Sequence, residues 1–306
     1  MHLNTHVHSS IPSSKTTTGT FQYIVTDPSS RATVTIDPVL DFDPSTTTIS
    51  TTSANALLAL VAEKSYDAEY VLETHVHADH LSAASYLQAQ PRQTQDQAPQ
   101  IEIGKRTGQD QELFSKRYGV PTHEHSIAFN KLFDDDDDDD EKFRVGGLQS
   151  QAIHRPGHTP DHTRYKMGSH VFGGDSLFHA DVGTARTDFP GGSAQQLWLS
   201  GQKLLALPDE TRIWTGHCYP PANRTTHKEV DEHLRGCVTE DGLVKAPRLL
   251  HQSLQINVRG RRLPVPDEDG QRTLRASLKL AGVGLLKVGG AKPRVLQVSQ
   301  AVLVGV

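Results

Sequence analysis

The chain has 306 residues, with 31 Lys and Arg against 36 Asp and Glu and a formal net charge of −5. That balance gives no pull toward nucleic acid or an anionic membrane surface, and a short basic cluster such as RGRR at 259–262 reads as solvated surface. Two cysteines, Cys218 and Cys237, exclude a disulfide framework and a four-cysteine zinc site, and no segment reaches the roughly 20 apolar residues of a membrane span.

The expected protein is therefore intracellular and cytoplasmic, with a mitochondrial location left open. Residues 1–20 are rich in Ser, Thr and His without an apolar signal core and read as a flexible tail. FQYIVTD (21–27) and ATVTIDPV (32–39) are β-prone runs around the turn signal DPSSR, which predicts a hairpin. ANALLALVAEK predicts a helix capped by Ser53, with an apolar stripe of Leu57, Leu58 and Val61, before AEYVLET returns to strand character. ADHLSAASYLQAQ reads as helical, which would place Asp79 and His80 at the helix start; a further helix is expected around QELFSKRY.

Asp134 to Asp140 are seven consecutive aspartates, whose mutual repulsion fits a solvated loop at 134–141. The run lacks the spaced glycine and terminal glutamate of a calcium loop. LQSQAIHRPGHTP and SHVFGGDSLF then read as strands, each ending in a candidate ligand. AQQLWLSGQKLLALP at 194–208 reads as a helix with Leu197, Leu204 and Leu205 turned inward, and TRIWTGH as another strand ending in histidine. Residues 246–264 are expected to be ordered, and 266–306 form a C-terminal extension of unassigned role. The alternation of strand and helix favours a layered α/β architecture.

Residues 73–80, ETHVHADH, place three histidines and an aspartate directly after a strand that reads as buried. An ordinary core would not use them, because each neutral imidazole needs two polar partners and each carboxylate a stronger one. A metal ion satisfies several together. His75, His77, Asp79, His80, His158, Asp175 and His217 all fall at or just after the ends of β-prone runs, where α/β folds assemble their sites. Singly, each would read as surface or as a satisfied core group.

HVHADH, PGHT, GGDSLF and TGH, in this order over roughly 21–265, resemble the metallo-β-lactamase superfamily. The resemblance implies an αββα sandwich and a domain at 21–265. In the two-metal form of such a site, His75, His77 and His158 approach one metal, Asp79, His80 and His217 the other, and Asp175 bridges them. More narrowly, FQYIVTD, IDPVLDF, ETHVHADHLSAASYL and DVGTARTDFPGG are similar to the persulfide dioxygenase branch and its bacterial relatives. That branch implies one Fe(II) on His75, His158 and Asp175, with His77, Asp79, His80 and His217 orienting the ligands. Two nitrogens and one carboxylate leave iron positions open for a sulfur substrate and dioxygen.

By the same resemblance, Arg186 and Tyr219 border the pocket of a low-molecular-weight persulfide such as glutathione persulfide. Leu234 stands where a second substrate-binding arginine is common, with Arg235 beside it, which puts glutathione recognition in question. Cys218 reads as a small pocket-wall residue. The expected reaction is oxidation of the persulfide to sulfite and thiol. Its alternatives are hydrolysis of a glutathione thioester, or a related ester or lactone, with two Zn(II) or mixed divalent ions, and noncatalytic binding of metal or a sulfur metabolite. Neither nucleic acid nor membrane is an expected partner, and a homodimer stays open.

Overall fold

The computed structural model describes residues 6–10, 20–43, 45–90, 97–119, 129–135, 140–178, 184–208, 211–217, 255–258 and 261–264; the side chains of 6–10, 114, 118, 205, 255–258 and 261–264 are outside this description. Two β-sheets lie face to face with helices on their outer sides. The first sheet contains β1 (His6–Ser10), β2 (Gln22–Thr26), β3 (Ala32–Ile36), β6 (Asp67–Leu72), β8 (Gln100–Gly104) and β9 (Lys131–Phe133), in that spatial order. β4 (Val39–Asp43), β5 (Thr48–Ser50) and β7 (Leu81–Ser82) make a small accessory sheet. The second main sheet is formed by β10 (Glu141–Val145), β11 (Leu148–His154), β12 (Thr163–Met167), β13 (His170–Phe172) and β14 (Arg212–Trp214).

Side-chain alternation builds the layers. On β2, Tyr23 and Val25 enter the core between the sheets, whereas Ile24 joins the helix-side cluster. The intersheet core draws Val34, Ile36, Leu72 and Phe133 from one sheet and Val145, Tyr165, Met167 and Phe172 from the other. Outside the first sheet, α1 (Thr52–Lys64) and α2 (Ala84–Ala89) contribute Ala54, Leu57, Ala84 and Leu87 to a second cluster with Val71 and Ile101. The remaining helices are α3 (Thr107–Tyr118) and α4 (Ala194–Leu205). α4 covers the second sheet, where the buried Arg164 of β12 donates to the backbone carbonyl of Ser200 at 3.0 Å. This is the expected αββα sandwich.

Several local expectations change. Within the segment read as a tail, residues 6–10 pair antiparallel with β2; residues 1–5 and 11–19 lie outside the described residues. Ser53 sits inside α1 and does not cap it. The carboxylate of Asp41 accepts the Ser53 N–H at 2.8 Å and its hydroxyl at 2.6 Å, so a residue from β4 supplies the acceptor. Asp79 and His80 precede α2 by several residues, because Leu81 and Ser82 pair with Leu40 and Val39 before the helix begins. In the acidic run, Asp134 and Asp135 pair with Lys105, Arg106 also holds Asp135, and Asp140 lies 3.5 Å from Arg155. Residues 136–139 lie outside the described residues. Leu197 and Leu204 are buried as expected, whereas the Leu205 side chain is not described. Of 246–264, a hairpin of β15 (Gln255–Val258) and β16 (Arg261–Pro264) is described. Among the described residues no helix is long and apolar enough to cross a membrane.

Candidate metal centre

β3 and β6 run parallel, as do β13 and β14, while β11 and β13 share a direction through the antiparallel β12. The C-terminal ends of β6, β11, β13 and β14 therefore open toward one edge of the sandwich. Each end delivers candidate ligands: His75, His77, Asp79 and His80 after β6, His158 after β11, Asp175 after β13 and His217 after β14. The ends are tied together by backbone. Thr163 donates its N–H to the Thr74 carbonyl at 2.7 Å, Gly216 to the Gly174 carbonyl at 2.9 Å, and the Tyr165 hydroxyl to the Glu73 carbonyl at 2.8 Å. Gly174 has φ +48, and a Cβ there would stand 2.5 Å from the Thr74 hydroxyl, so only glycine lets Asp175 approach this closely.

All the expected ligands are drawn together. One ligand atom from each of His75, His158 and Asp175 lies within 4.8 Å of the others, and His77, Asp79 and His80 form a second such group. His217 links the two, its Nε2 lying 3.1 Å from Asp79 Oδ2 and 3.3 Å from Asp175 Oδ1. The His75 and His77 ring centroids are 4.1 Å apart and those of His77 and His80 4.0 Å. Apart from Asp79, whose side chain is 38% exposed, these groups are buried.

Hydrogen bonds set which nitrogen of each ring is free. The Thr74 hydroxyl gives its single proton to Asp37 Oδ2 at 2.8 Å, so toward His75 Nδ1, 2.9 Å away, it acts as acceptor. His75 Nδ1 then carries the hydrogen and Nε2 presents a lone pair. His77 Nε2 donates to Asp37 Oδ1 at 3.1 Å and lies 3.2 Å from Glu73 Oε2, leaving Nδ1 as its lone-pair nitrogen. His158 Nδ1 donates to the Arg186 carbonyl at 2.7 Å and so frees Nε2. Carboxylates and carbonyls behind imidazole ligands fix tautomer and orientation in this way.

Buried nitrogens without partners test whether the residues fit a metal. His75 Nε2, His77 Nδ1 and both nitrogens of His80 have no hydrogen-bond partner. Leaving such atoms unpaired costs about 1–3 kcal/mol each unless something else coordinates them. Imidazole nitrogens with carboxylates are the donor set of zinc, iron and similar divalent ions, so the residues fit.

The electrostatics point the same way. Burial, followed by the charge of His77, holds His75 well below the usual histidine value, and burial with His77 lowers His80 to about 4, keeping both neutral as ligands must be. Burial opposes charge on Asp79 as well, but His80 and His217 overcome it and hold the carboxyl well below its usual range. Burial likewise opposes protonation of His77 and His217, yet Asp37 and Glu73 raise the former, and Asp175 and Asp79 raise the latter to about 10. Carboxylates thus favour positive charge at these two positions, which a bound metal ion would supply in place of the protons.

The other expected residues are placed differently. The Arg186 side chain is 63% exposed and forms a two-point contact with Asp188 at 2.7–2.8 Å; it also lies over the Phe189 ring, which meets His158 edge-on. Tyr219, Leu234, Arg235 and Cys218 lie outside the described residues. Sequence reasoning missed Asp37 and Glu73, which stand behind His77, and His162, whose buried ring stacks on His75 at 5.1 Å. The acidic side chain ending the run TVTID was a signal for Asp37; nothing in the spacing marked Glu73 or His162.

Comparison with known proteins adds family and kin. Residues 29–217 match the metallo-beta-lactamase superfamily profile. The beta-lactamase hydrolase-like protein of Xylella fastidiosa strain Temecula1 is 38% identical over 279 residues, covering 85% of this chain and 62% of that protein, so the chain spans less than two thirds of its length. Glyoxylase B2 of Dictyostelium discoideum is 36% identical over 276 residues, 82% of this chain and 90% of that protein. Among solved structures, ETHE1 from Myxococcus xanthus aligns with a TM-score of 0.53 and 26% identity, over 81% of this chain and 96% of that one.

Proposed function

Because the chain belongs to the metallo-beta-lactamase superfamily, we propose that its buried His and Asp centre holds divalent transition metal and that the enzyme acts on the sulfur end of a small, glutathione-type thiol derivative. The observation that carries this reading is the gathering of unpartnered imidazole nitrogens of His75, His77 and His80 with the Asp175 and Asp79 carboxylates at the common edge of the sheets. The catalytic unit in this proposal is 21–265, and 266–306 is an extension.

The first reading of the chemistry is hydrolysis of a thioester. It has the support of one relative named as beta-lactamase hydrolase-like and one named as a glyoxylase, and of Asp175, whose two oxygens face His158 Nε2 at 3.7 Å and His217 Nε2 at 3.3 Å, a disposition suited to serving two metal positions. His75, His77 and His158 would hold one ion and Asp79, His80 and His217 the other. With two ions bound there, the site would supply a water of lowered pKa and a polarised acyl carbonyl. The chain's own contribution is orientation: Asp37, Thr74 and the Arg186 carbonyl keep the ring nitrogens aimed, and burial keeps bulk water from the ligands. Arg186 would take the anionic end of the substrate by exchanging its contact with Asp188, with Tyr219 and Leu234 as further pocket residues.

A second reading, oxidation of a persulfide by dioxygen at one iron, has a specific observation in its favour. The three ligand atoms that group together are those of His75, His158 and Asp175, whereas His77 groups with Asp79 and His80; the likeness to ETHE1 agrees with it.

Metal analysis followed by two assays separates the readings. Two metal equivalents and anaerobic release of thiol from a glutathione thioester support hydrolysis. One iron with oxygen uptake and sulfite production from glutathione persulfide supports oxidation. A metal-loaded protein that turns over no persulfide, thioester, ester or lactone would leave the noncatalytic alternative. In either reaction, Arg186→Ala is expected to raise KM while metal content stays at the wild-type level.

A further inference from the structure

Two carboxyl groups outside the ligand set lie buried together beside the centre. Asp110, on α3, and Asp161, three residues after His158, are both fully enclosed. The Asp161 N–H donates to Asp110 Oδ2 at 2.9 Å, while Asp110 Oδ1 is buried without a hydrogen-bond partner. Among the described residues neither forms an ion pair with lysine or arginine. Neighbouring buried carboxylates cannot both carry charge, so one of the two holds a proton. Burial, then the charge of Asp161, pushes Asp110 up to about 10, which places the proton on Asp110.

Asp161 is left free to accept, and its two oxygens reach different loops. Oδ1 accepts the Thr159 hydroxyl at 2.7 Å, one residue after His158. Oδ2 accepts the Val76 N–H at 2.9 Å, in the peptide between His75 and His77. One carboxylate thus joins the loop after β6 to the loop after β11, while Asp110 anchors it to α3. From this geometry we propose that Asp161 is a positioning residue of the metal centre, held by Asp110, and that it sets the spacing of His75 and His77 against His158.

The proposal rests on the centre binding metal and is independent of which reaction follows. Cobalt(II) titration of the full chain against a competing chelator, with the absorption spectrum of the bound ion, tests it in wild type, Asp161→Ala, Asp161→Asn, Asp110→Ala and Asp110→Asn. Asp161→Ala should weaken cobalt binding by about 10- to 100-fold and shift the ligand-field bands, as loss of a group behind the ligands does. Asp161→Asn keeps one acceptor oxygen and should fall between; it carries the comparison alone if the alanine variant does not fold. Asp110→Ala should weaken binding, and Asp110→Asn should restore it, because the amide oxygen still accepts the Asp161 N–H. Wild-type affinity and spectrum in both Asp161 variants would overturn the positioning role. Binding as weak in Asp110→Asn as in Asp161→Ala would overturn the role of Asp110. A wild-type chain that binds no cobalt would overturn the metal reading and this proposal with it.

Discussion

At Asp110 the chemistry of one residue sets a pH dependence for the whole fold. Its carboxyl is raised from 3.8 to about 10, by burial first and by Asp161 second. Between those values the folded chain holds a proton that the unfolded chain has released. The stability contributed by this group is therefore complete below about pH 4 and is lost progressively as the pH rises toward the folded value. Asp110→Asn has no proton to release, so its stability should fall less than that of wild type between pH 5 and 8, the expected difference being carried by linkage at this site. Urea unfolding at the two pH values checks this; equal losses in both proteins would show that Asp110 is ionised in the fold. The residue also shows where sequence reading stops. A lone aspartate in QELFSKRY's helix reads as a solvated face, because its partner, Asp161, lies 51 positions away and only the tertiary fold brings the two carboxyls together.

At the scale of elements, the start of α1 has the clearest energetic consequence. Thr51 occupies the N-cap position without a side-chain hydrogen bond, and the Asp41 carboxylate supplies the acceptor from outside the helix. Its negative charge also suits the positive end of the helix dipole. Asp41→Ala should destabilise the protein by about 1 kcal/mol, within the roughly 0.5–2 kcal/mol of other helix caps. A urea midpoint unchanged from wild type, at equal slope, would contradict this assignment. Strands β2, β3, β6 and β11 and helices α1, α3 and α4 were legible from apolar runs and turn residues. The start of α2 was not, because the run from 79 to 83 has helix-compatible composition and its strand pairing with Val39 and Leu40 depends on a partner distant in sequence. Ser53 was misread for the same reason: its type suited a cap, but Asp41 took the role across a tertiary contact.

The whole molecule turns scattered ligands into one site. Each of the seven metal-capable side chains was recognisable because its residue type is costly in an ordinary core and because it follows a β-prone run. Their convergence follows from topology: β11 and β13 share a direction, β14 joins β13 in parallel, and cross-sheet hydrogen bonds from Thr163 and Tyr165 bring the loop after β6 alongside. Of the supporting groups, Asp37 ends a β-prone run and was signalled in that way, whereas Glu73, Asp110 and Asp161 were not marked, since single acidic residues are common on surfaces and their burial emerges only when the layers close. The most direct test of the central claim is elemental analysis of the full chain purified without added metal, alongside His158→Ala. The account predicts stoichiometric zinc or another divalent transition metal in the wild type and a severe loss in the variant. A folded wild-type protein with no metal above a metal-free control, and no uptake when zinc, iron or cobalt is supplied, would contradict it.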